Sequence, residues 1–380
     1  MKRAKDLYKQ LISASNLDRA INRSAAGKTK RPYVQEVLQN SIFHIGELKK
    51  VIENNTFTQR IHKGVVVYDG HSRKKRLIIK PLYMYEQIVQ HAVMNILQPI
   101  FMKSMYTYSC GSVPKRGIHY GKRHIEKFIK DNKHKPQELK YCLKLDIKHF
   151  YQNVDIERLK KKFRRTIKDK EMLRVLDTIV DSNVAKYGKK IVKMGLPIGF
   201  YTSQWFSNYF LQDFDHYIKE KLKVKCYVRY VDDMILFHSN KKELHKIFLK
   251  IKAYLESEGL TVKGNWQIFR FDYIKKDGKR IGRPLDFMGF KFYRDKTTLR
   301  RTLMLKCTGK AKRIYKKKLR GKKVTWYDCS QLISYLGWFS HAKCHGTYEK
   351  RIKPYVSIPI CKGIISKHSK ELRRQALCNT

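Results

Sequence analysis

Acidic residues are scarce in this chain. Only 32 Asp and Glu stand against 84 Lys and Arg, giving a formal charge of +52 over 380 residues. Self-repulsion on that scale destabilises a compact state unless a polyanion neutralises it. Nucleic acid is the polyanion the excess points to. An anionic membrane surface is the rival, but the positive charge runs through the whole chain and no basic amphipathic helix stands out. Apolar runs of about 18 residues, the length a membrane span needs, are missing. The opening MKRAKDLYKQL has no apolar signal core, so the expected location is the cytoplasm, with no membrane partner. The eight cysteines (Cys110, Cys142, Cys226, Cys307, Cys329, Cys344, Cys361 and Cys378) include no C-x-x-C pair. They read as reduced thiols, not as a disulfide frame. His341, Cys344 and His345 lie close together, but a second ligand pair at zinc spacing is lacking.

Hydrophobic residues make up 42% of the chain, enough for a sizeable core. Residues 1–60 read as mainly helical, with a basic break at Gly27–Pro32. Residues 61–80 alternate, with turn chemistry at Tyr68-Asp-Gly-His71, and read as a hairpin ending at Pro81. Ile88, Ala92, Ile96 and Ile100 recur at helical spacing. A loop at Cys110–Gly117 precedes a basic helix reaching about Lys130. Tyr141 to Ile147 reads as a strand, with Leu143 and Leu145 on one face and Lys144 and Asp146 on the other. A helix is predicted over 156–180, a Lys-rich hairpin around Gly188, a helix from Ser203 to Leu222, and another from Lys242 to Glu258. Leu285 to Tyr293 reads as a short strand, and the final 85 or so residues as basic and helical. Strands interleaved with helices in this order suggest an antiparallel sheet backed by helices, an α+β architecture.

One stretch carries more chemistry than the rest: Arg229-Tyr-Val-Asp-Asp-Met-Ile-Leu-Phe237. Val224–Tyr230 and Met234–His238 read as strands, which puts Asp232 and Asp233 at the turn between them. Adjacent carboxylates between half-buried strands are poor core design and good design for holding a divalent metal. Asp146 ends its own strand just before the chain turns. A lone aspartate there could be a helix cap, but with Asp232 and Asp233 it supplies carboxylates from separate strands. Joining a 3′-hydroxyl to an α-phosphate uses two metal ions about 3.5–4 Å apart, and Mg²⁺ shares such carboxylates with substrate phosphates. Two Mg²⁺ are therefore the expected cofactor, with Mn²⁺ as an alternative. Asp146 lying beyond about 10 Å from the turn would rule this out.

The motif series L-D-I-K-x-F-Y at 145–151, L-P-I-G-x-x-x-S-Q at 196–204, Y-V-D-D at 230–233 and F-M-G-F at 287–290 resembles that of prokaryotic reverse transcriptases, over roughly residues 60–345. The resemblance implies a right-hand polymerase fold: an N-terminal helical extension at 1–60 and fingers at 61–140. A palm follows at 141–293, with fingers elements at about 156–200, then a helical thumb and basic tail at 294–380. It implies metal contacts by Asp146, Asp232, Asp233 and the Ile147 carbonyl. Tyr151 matches an aromatic gate that clashes with a ribose 2′-hydroxyl, and Arg76 the arginine gripping the triphosphate, a task that suits its fork. Lys263 falls near a lysine that protonates pyrophosphate. Ile198, Gly199 and Gln204 fall in the segment that touches the incoming nucleotide. Phe287, Met288, Gly289 and Phe290 resemble the primer grip. Ser334–His341 resembles the thumb, although Leu332, Leu336 and Phe339 carry the spacing of a packed helix. The basic residues from Lys310 to Lys323 could line a duplex path.

The chain departs from the Q-G-x-x-x-S-P form of retroviral, retron and group II intron enzymes. Ile198 replaces the glutamine and Gln204 the proline. The I-G-x-x-x-S-Q form and Asn265-Trp-Gln267 resemble reverse transcriptases of diversity-generating retroelements and related bacterial enzymes, some serving antiphage defence. Losing an amide at the nascent pair removes a polar check, so error-prone copying is expected, selective at template adenines. Beyond residue 294 the only acidic side chains are Asp295, Asp328, Glu349 and Glu371, so no RNase H cluster is expected. The expected partners are an RNA template or noncoding RNA, a DNA or RNA primer, the cDNA product, dNTPs and an accessory protein. Two other readings remain: an RNA-copying RNA polymerase, against which Tyr151 argues, and a maturase-like RNA-binding scaffold that does not polymerise.

Overall fold

The computed structural model describes residues 3–59, 61–68 and 75–378. They form two compact units. The first comprises Met1–Gly117, Leu143–Phe237 and Lys241–Gln267; the second comprises Ile118–Cys142, His238–Asn240 and Ile268–Thr380.

The first unit begins with helices at Leu7–Leu11, Ala14–Ala25, Pro32–Gln39 and Ser41–Glu53. Leu17, Ala20, Ile21 and Ala25 of the second helix are buried on one stripe. Asn16 on the same helix donates to the Ala92 carbonyl (3.2 Å), tying it to the long helix Ile88–Ser104. The buried face of that long helix is Ile88, Val89, Ala92, Val93, Leu97 and Phe101. Ile96 and Ile100, placed on the core face by spacing, are only half-buried, because the stripe is centred one residue away.

Strands β1 (His62–Tyr68) and β2 (Lys75–Ile79) pair antiparallel, with Val67 opposite Arg76. The turn expected at Asp69–His71 lies outside the described residues. Strand β3 (Tyr141–Asp146) buries Leu143 and Leu145 and leaves Lys144 and Asp146 half-exposed, the predicted alternation. The single helix expected over 156–180 is two, Ile156–Thr166 and Lys170–Asp181. The break has a local cause: the Asp169 side chain accepts from Met172 N and caps the second helix. Strands β4 (Val184–Tyr187) and β5 (Lys190–Lys193) form the Lys-rich hairpin, and β4 adds parallel to β1. The helix expected from Ser203 runs as Tyr201–Phe210, Gln212–His216 and a wider turn at Tyr217–Lys221. It bends at Leu211, whose ψ of 3° departs from the helical value. Strands β6 (Cys226–Tyr230) and β7 (Asp233–His238) pair antiparallel, and β3 lies beside β7. The helix Lys241–Ser257 follows.

The second unit contains the helix Ile118–Asp131, residues 268–270 of the short strand β8 (Gln267–Arg270), and the short strands β9 (Tyr273–Ile274) and β10 (Arg280–Ile281). A meander follows, made of β11 (Leu285–Phe287), β12 (Phe290–Phe292) and β13 (Thr297–Leu299). The single strand expected over Leu285–Tyr293 is thus a hairpin. Met288 and Gly289 both take positive φ (49° and 85°), as a two-residue hairpin turn demands. Helices Arg301–Leu319, Trp326–Phe339, His345–Arg351 and Ile358–Cys378 enclose a core of Cys307, Ala311, Ile314, Cys329, Leu332 and Ile352. Lys310, read from the sequence as a duplex-path charge, is buried and donates to Asp328 (2.8 Å). Cys110, Cys142, Cys226, Cys307, Cys329, Cys344 and Cys361 are buried free thiols. Among the described residues no helix is long and apolar enough to cross a membrane.

Candidate active site

The acidic turn is closed by the pair Tyr230–Asp233 at the ends of β6 and β7. Val231 and Asp232 form the turn itself, and Val231 adopts φ 59°, a costly conformation for a β-branched residue. Asp146 at the end of β3 is brought alongside, as Ile147 N donates to the Asp232 carbonyl (3.2 Å). The two carboxyl groups face each other. Two carboxylates are both acceptors and cannot satisfy one another. Oδ1 of Asp146 is buried without a hydrogen-bond partner. Burial first, and then the charge of Asp146, push the Asp232 carboxyl up to about 7.

Lys263 supplies the compensating charge. Its Nζ donates to Asp146 Oδ2 (2.6 Å) and its backbone N to the Asp146 carbonyl (2.8 Å). The hydrogen bond to Asp146 holds the ammonium pKa above its ordinary value. A cavity of about 340 Å³ opens here, lined among others by Arg76, Asp146, Tyr151, Ile198, Asp232 and Lys263. Ile147 also lines it, with its side chain buried. The Tyr151 hydroxyl lies 3.4 Å from Ser207 Oγ, which fixes the ring at the cavity wall.

Not every expected residue gathers there. Asp233 starts β7, half-exposed, and is not part of the cavity lining. Among the described residues, no three His, Cys, Asp or Glu side chains form a ready-made metal cage. Gln204 is exposed and off the cavity. Gly199 acts through its backbone: at φ 122°, a Cβ would lie 2.0 Å from the Ile79 carbonyl. Ile79 N in turn donates to the Ile198 carbonyl (2.8 Å), so β2 is stitched to this segment. Phe287, Met288, Gly289 and Phe290 belong to the second unit. There Phe287 and Phe290 are fully buried and Phe290 packs on Trp338 (5.5 Å between centroids).

Sequence reasoning missed the structure behind the turn. Arg229, fully buried, donates from Nε and Nη2 to the two oxygens of Asp215 (2.8 and 2.5 Å). Its Nη1 donates to Asn208 Oδ1 and to the Val231 carbonyl (both 3.0 Å). The Tyr227 hydroxyl donates to Asp215 Oδ1 (2.7 Å), and Asn208 Nδ2 to the Gly111 carbonyl (2.9 Å). Gly111 itself lies against the turn, where a Cβ would sit 2.4 Å from Val231 Cγ2. The one visible signal was an arginine inside an otherwise apolar strand, which in so basic a chain reads as a charge on the strand's solvent face.

Residues 61–292, more than half of the chain, match the family model described as reverse transcriptase (RNA-dependent DNA polymerase). The chain belongs to the reverse transcriptase family. Among curated proteins, Protein YkfC of Escherichia coli (strain K12) is 26% identical over 137 residues, 36% of this chain and 35% of that protein. Among solved structures, apo telomerase from Candida tropicalis superposes with a TM-score of 0.52 at 15% identity, covering 73% of this chain and 53% of that one. A form of that telomerase truncated from its C-terminal domain gives 0.48 at 17% identity, covering 68% and 60%. This reverse transcriptase chain thus spans about a third of the curated relative and little more than half of the telomerase. The likeness to telomerase is one of fold: an α+β right-hand polymerase with antiparallel sheets and helices.

Proposed function

We propose that the chain is an RNA-directed DNA polymerase that copies a dedicated RNA into cDNA by metal-assisted nucleotidyl transfer. The observation that carries this reading is the convergence of Asp146 and Asp232, from separate strands, on a cavity that also holds Arg76 and Tyr151. The donor set fits a divalent ion: hard oxygens, a buried Asp146 Oδ1 lacking a partner, and a carboxyl pair whose mutual repulsion a cation relieves. When bound, divalent ions supply polarisation of the attacking hydroxyl and stabilisation of the leaving oxygen. Asp146 and Asp232 would hold them, with Asp233, the Ile147 carbonyl, water and substrate phosphates as the further ligands.

Arg76 grips the triphosphate with its planar fork. Tyr151, fixed by Ser207, lies under the sugar and excludes a 2′-hydroxyl. Lys263 neutralises Asp146 and stands ready to donate a proton toward the leaving pyrophosphate. Ile198 offers the nascent pair an apolar contact in place of an amide, so copying is error-prone, in keeping with a role in retroelement mutagenesis or antiphage defence. The hairpin of β1 and β2 belongs to the fingers, β3, β6 and β7 to the palm, and the helices after residue 300 to the thumb. Primer extension on an RNA template tests the reading. Wild type should extend with dNTPs and reject NTPs, and Tyr151→Ala should admit NTPs, raising their use at least about tenfold. Equal use of both by wild type, or no extension at all, would sink it.

A further inference from the structure

The second unit carries its own cavity, of about 230 Å³, whose lining shares no residue with the site above. Its wall includes Pro136, Lys140, Arg270, Phe271, Tyr273 and Arg294, and no acidic residue. Cations are common in this chain, but this group is not merely solvated. The Arg294 guanidinium lies over the Phe271 ring, 5.0 Å from its centroid. Its Nε donates to the Asp272 carbonyl (2.9 Å), and its Nη2 to the carbonyls of Pro136 (2.7 Å) and Leu139 (3.0 Å). All three acceptors are neutral. Nη1 is buried and has no hydrogen-bond partner. Asp272, fully buried, accepts from Arg280 Nη1 with both carboxylate oxygens (2.7 and 2.6 Å) and from the Arg294 backbone N with Oδ2 (2.9 Å). Burial lowers the Arg294 pKa from its ordinary value, and the opposing charge of Asp272 offsets this only in part. The cavity wall thus carries three positive groups and no acidic side chain. Such an arrangement is costly until an anion enters. Tyr273 is half-exposed at the rim, where a ring can stack on a base.

We propose that this cavity anchors a nucleotide of single-stranded RNA, with Lys140, Arg270 and Arg294 around its phosphate and Tyr273 against its base. The choice of RNA rests on the function proposed above; the anion chemistry does not. The full chain carrying Asp232→Asn provides a binding-only background, so extension cannot confuse the result. A short single-stranded RNA of mixed sequence is titrated by fluorescence anisotropy over a salt series. Lys140→Gln with Arg270→Gln should weaken binding roughly tenfold, and lower the slope of log affinity against log salt by about 0.7 for each phosphate released. The exposed pair Lys241→Gln with Lys250→Gln serves as the control for generic charge loss. An unchanged affinity and slope, or a loss no greater than the control pair's, would overturn the proposal. A photoreactive 4-thiouridine in the RNA should crosslink to Tyr273; binding without that crosslink would overturn it as well. Preference for a 5′-monophosphate over a 5′-hydroxyl probe assigns the pocket to a strand end, and equal binding to an internal phosphodiester. Absence of polymerase activity in the wild type would leave these binding results standing.

Discussion

Behind the Val231–Asp232 turn, Asp215 meets Arg229 and Tyr227, and every donor finds an acceptor. In front of the turn, Asp232 meets Asp146, and one carboxylate oxygen is left with nothing. Both pairs border the same two-residue turn. The rear pair is a finished network, costly to desolvate yet fully repaid in hydrogen bonds, and it clamps the Val231 carbonyl. The front pair is unfinished, and its deficit is the kind a cation fills. A carboxylate's neighbours, more than its burial, separate a supporting role from a chemical one.

The largest expected effect breaks the front pair. Asp232→Asn should lower primer extension by about a thousandfold or more, as loss of a ligand to the reacting centre does. The melting temperature should stay level or rise, because the substitution removes a repulsion. A clear fall in stability would mean the pair is structural. Breaking the rear pair should do the reverse. Arg229→Met strands Asp215 in the core and should cost about 3–5 kcal/mol in chemical denaturation. Adding Asp215→Leu should recover much of that loss while activity stays low, since the turn carbonyl has lost its donor. Gly111→Ala presses on Val231 from outside both pairs. Overpacking there should cost about 1–3 kcal/mol and reduce turnover more than RNA affinity, measurable by comparing extension with binding.

The smallest effect concerns a third carboxylate, compensated like the rear one. Burial raises the Asp328 pKa, but hydrogen bonds from Lys310, Lys317 and Thr325 outweigh it and hold the carboxyl well below the usual range. A depressed folded-state pKa gives stability that is complete above the unfolded value and is lost as pH falls. The urea midpoint of the chain should therefore drop as pH falls below about 4, and Asp328→Asn should flatten that dependence. An unaltered pH profile in the variant would show that Asp328 contributes nothing to acid stability.

The strands of the site were legible because β3 alternates from Leu143 to Asp146, and because β6 and β7 are short apolar runs, buried on both faces, that the Asp pair interrupts. The join of two helices at Asp169 was harder to see, since apolar spacing continues across it and only the cap reveals the stop. Leu285–Tyr293 read as one strand from its apolar run, and only the positive φ of Met288 and Gly289 shows the hairpin in which Phe287 and Phe290 are buried. Arg229 and Asp215 were invisible for a different reason. A buried ion pair needs two residues from separate elements, and a sequence so rich in lysine and arginine gives no hint of which cation is withdrawn from water. Lys310 eluded the reading in the same way.

Gly199 has a consequence for how the enzyme handles its nucleotide. With no room for even a methyl group beside the Ile79 carbonyl, and with Ile79 and Ile198 sharing a hydrogen bond, the strand bearing Arg76 and the segment bearing Ile198 behave as one piece. On the proposed function, any movement that brought the arginine onto the phosphates would carry the isoleucine toward the base in the same stroke, so that sensing of the triphosphate and inspection of the base pair would be geared together.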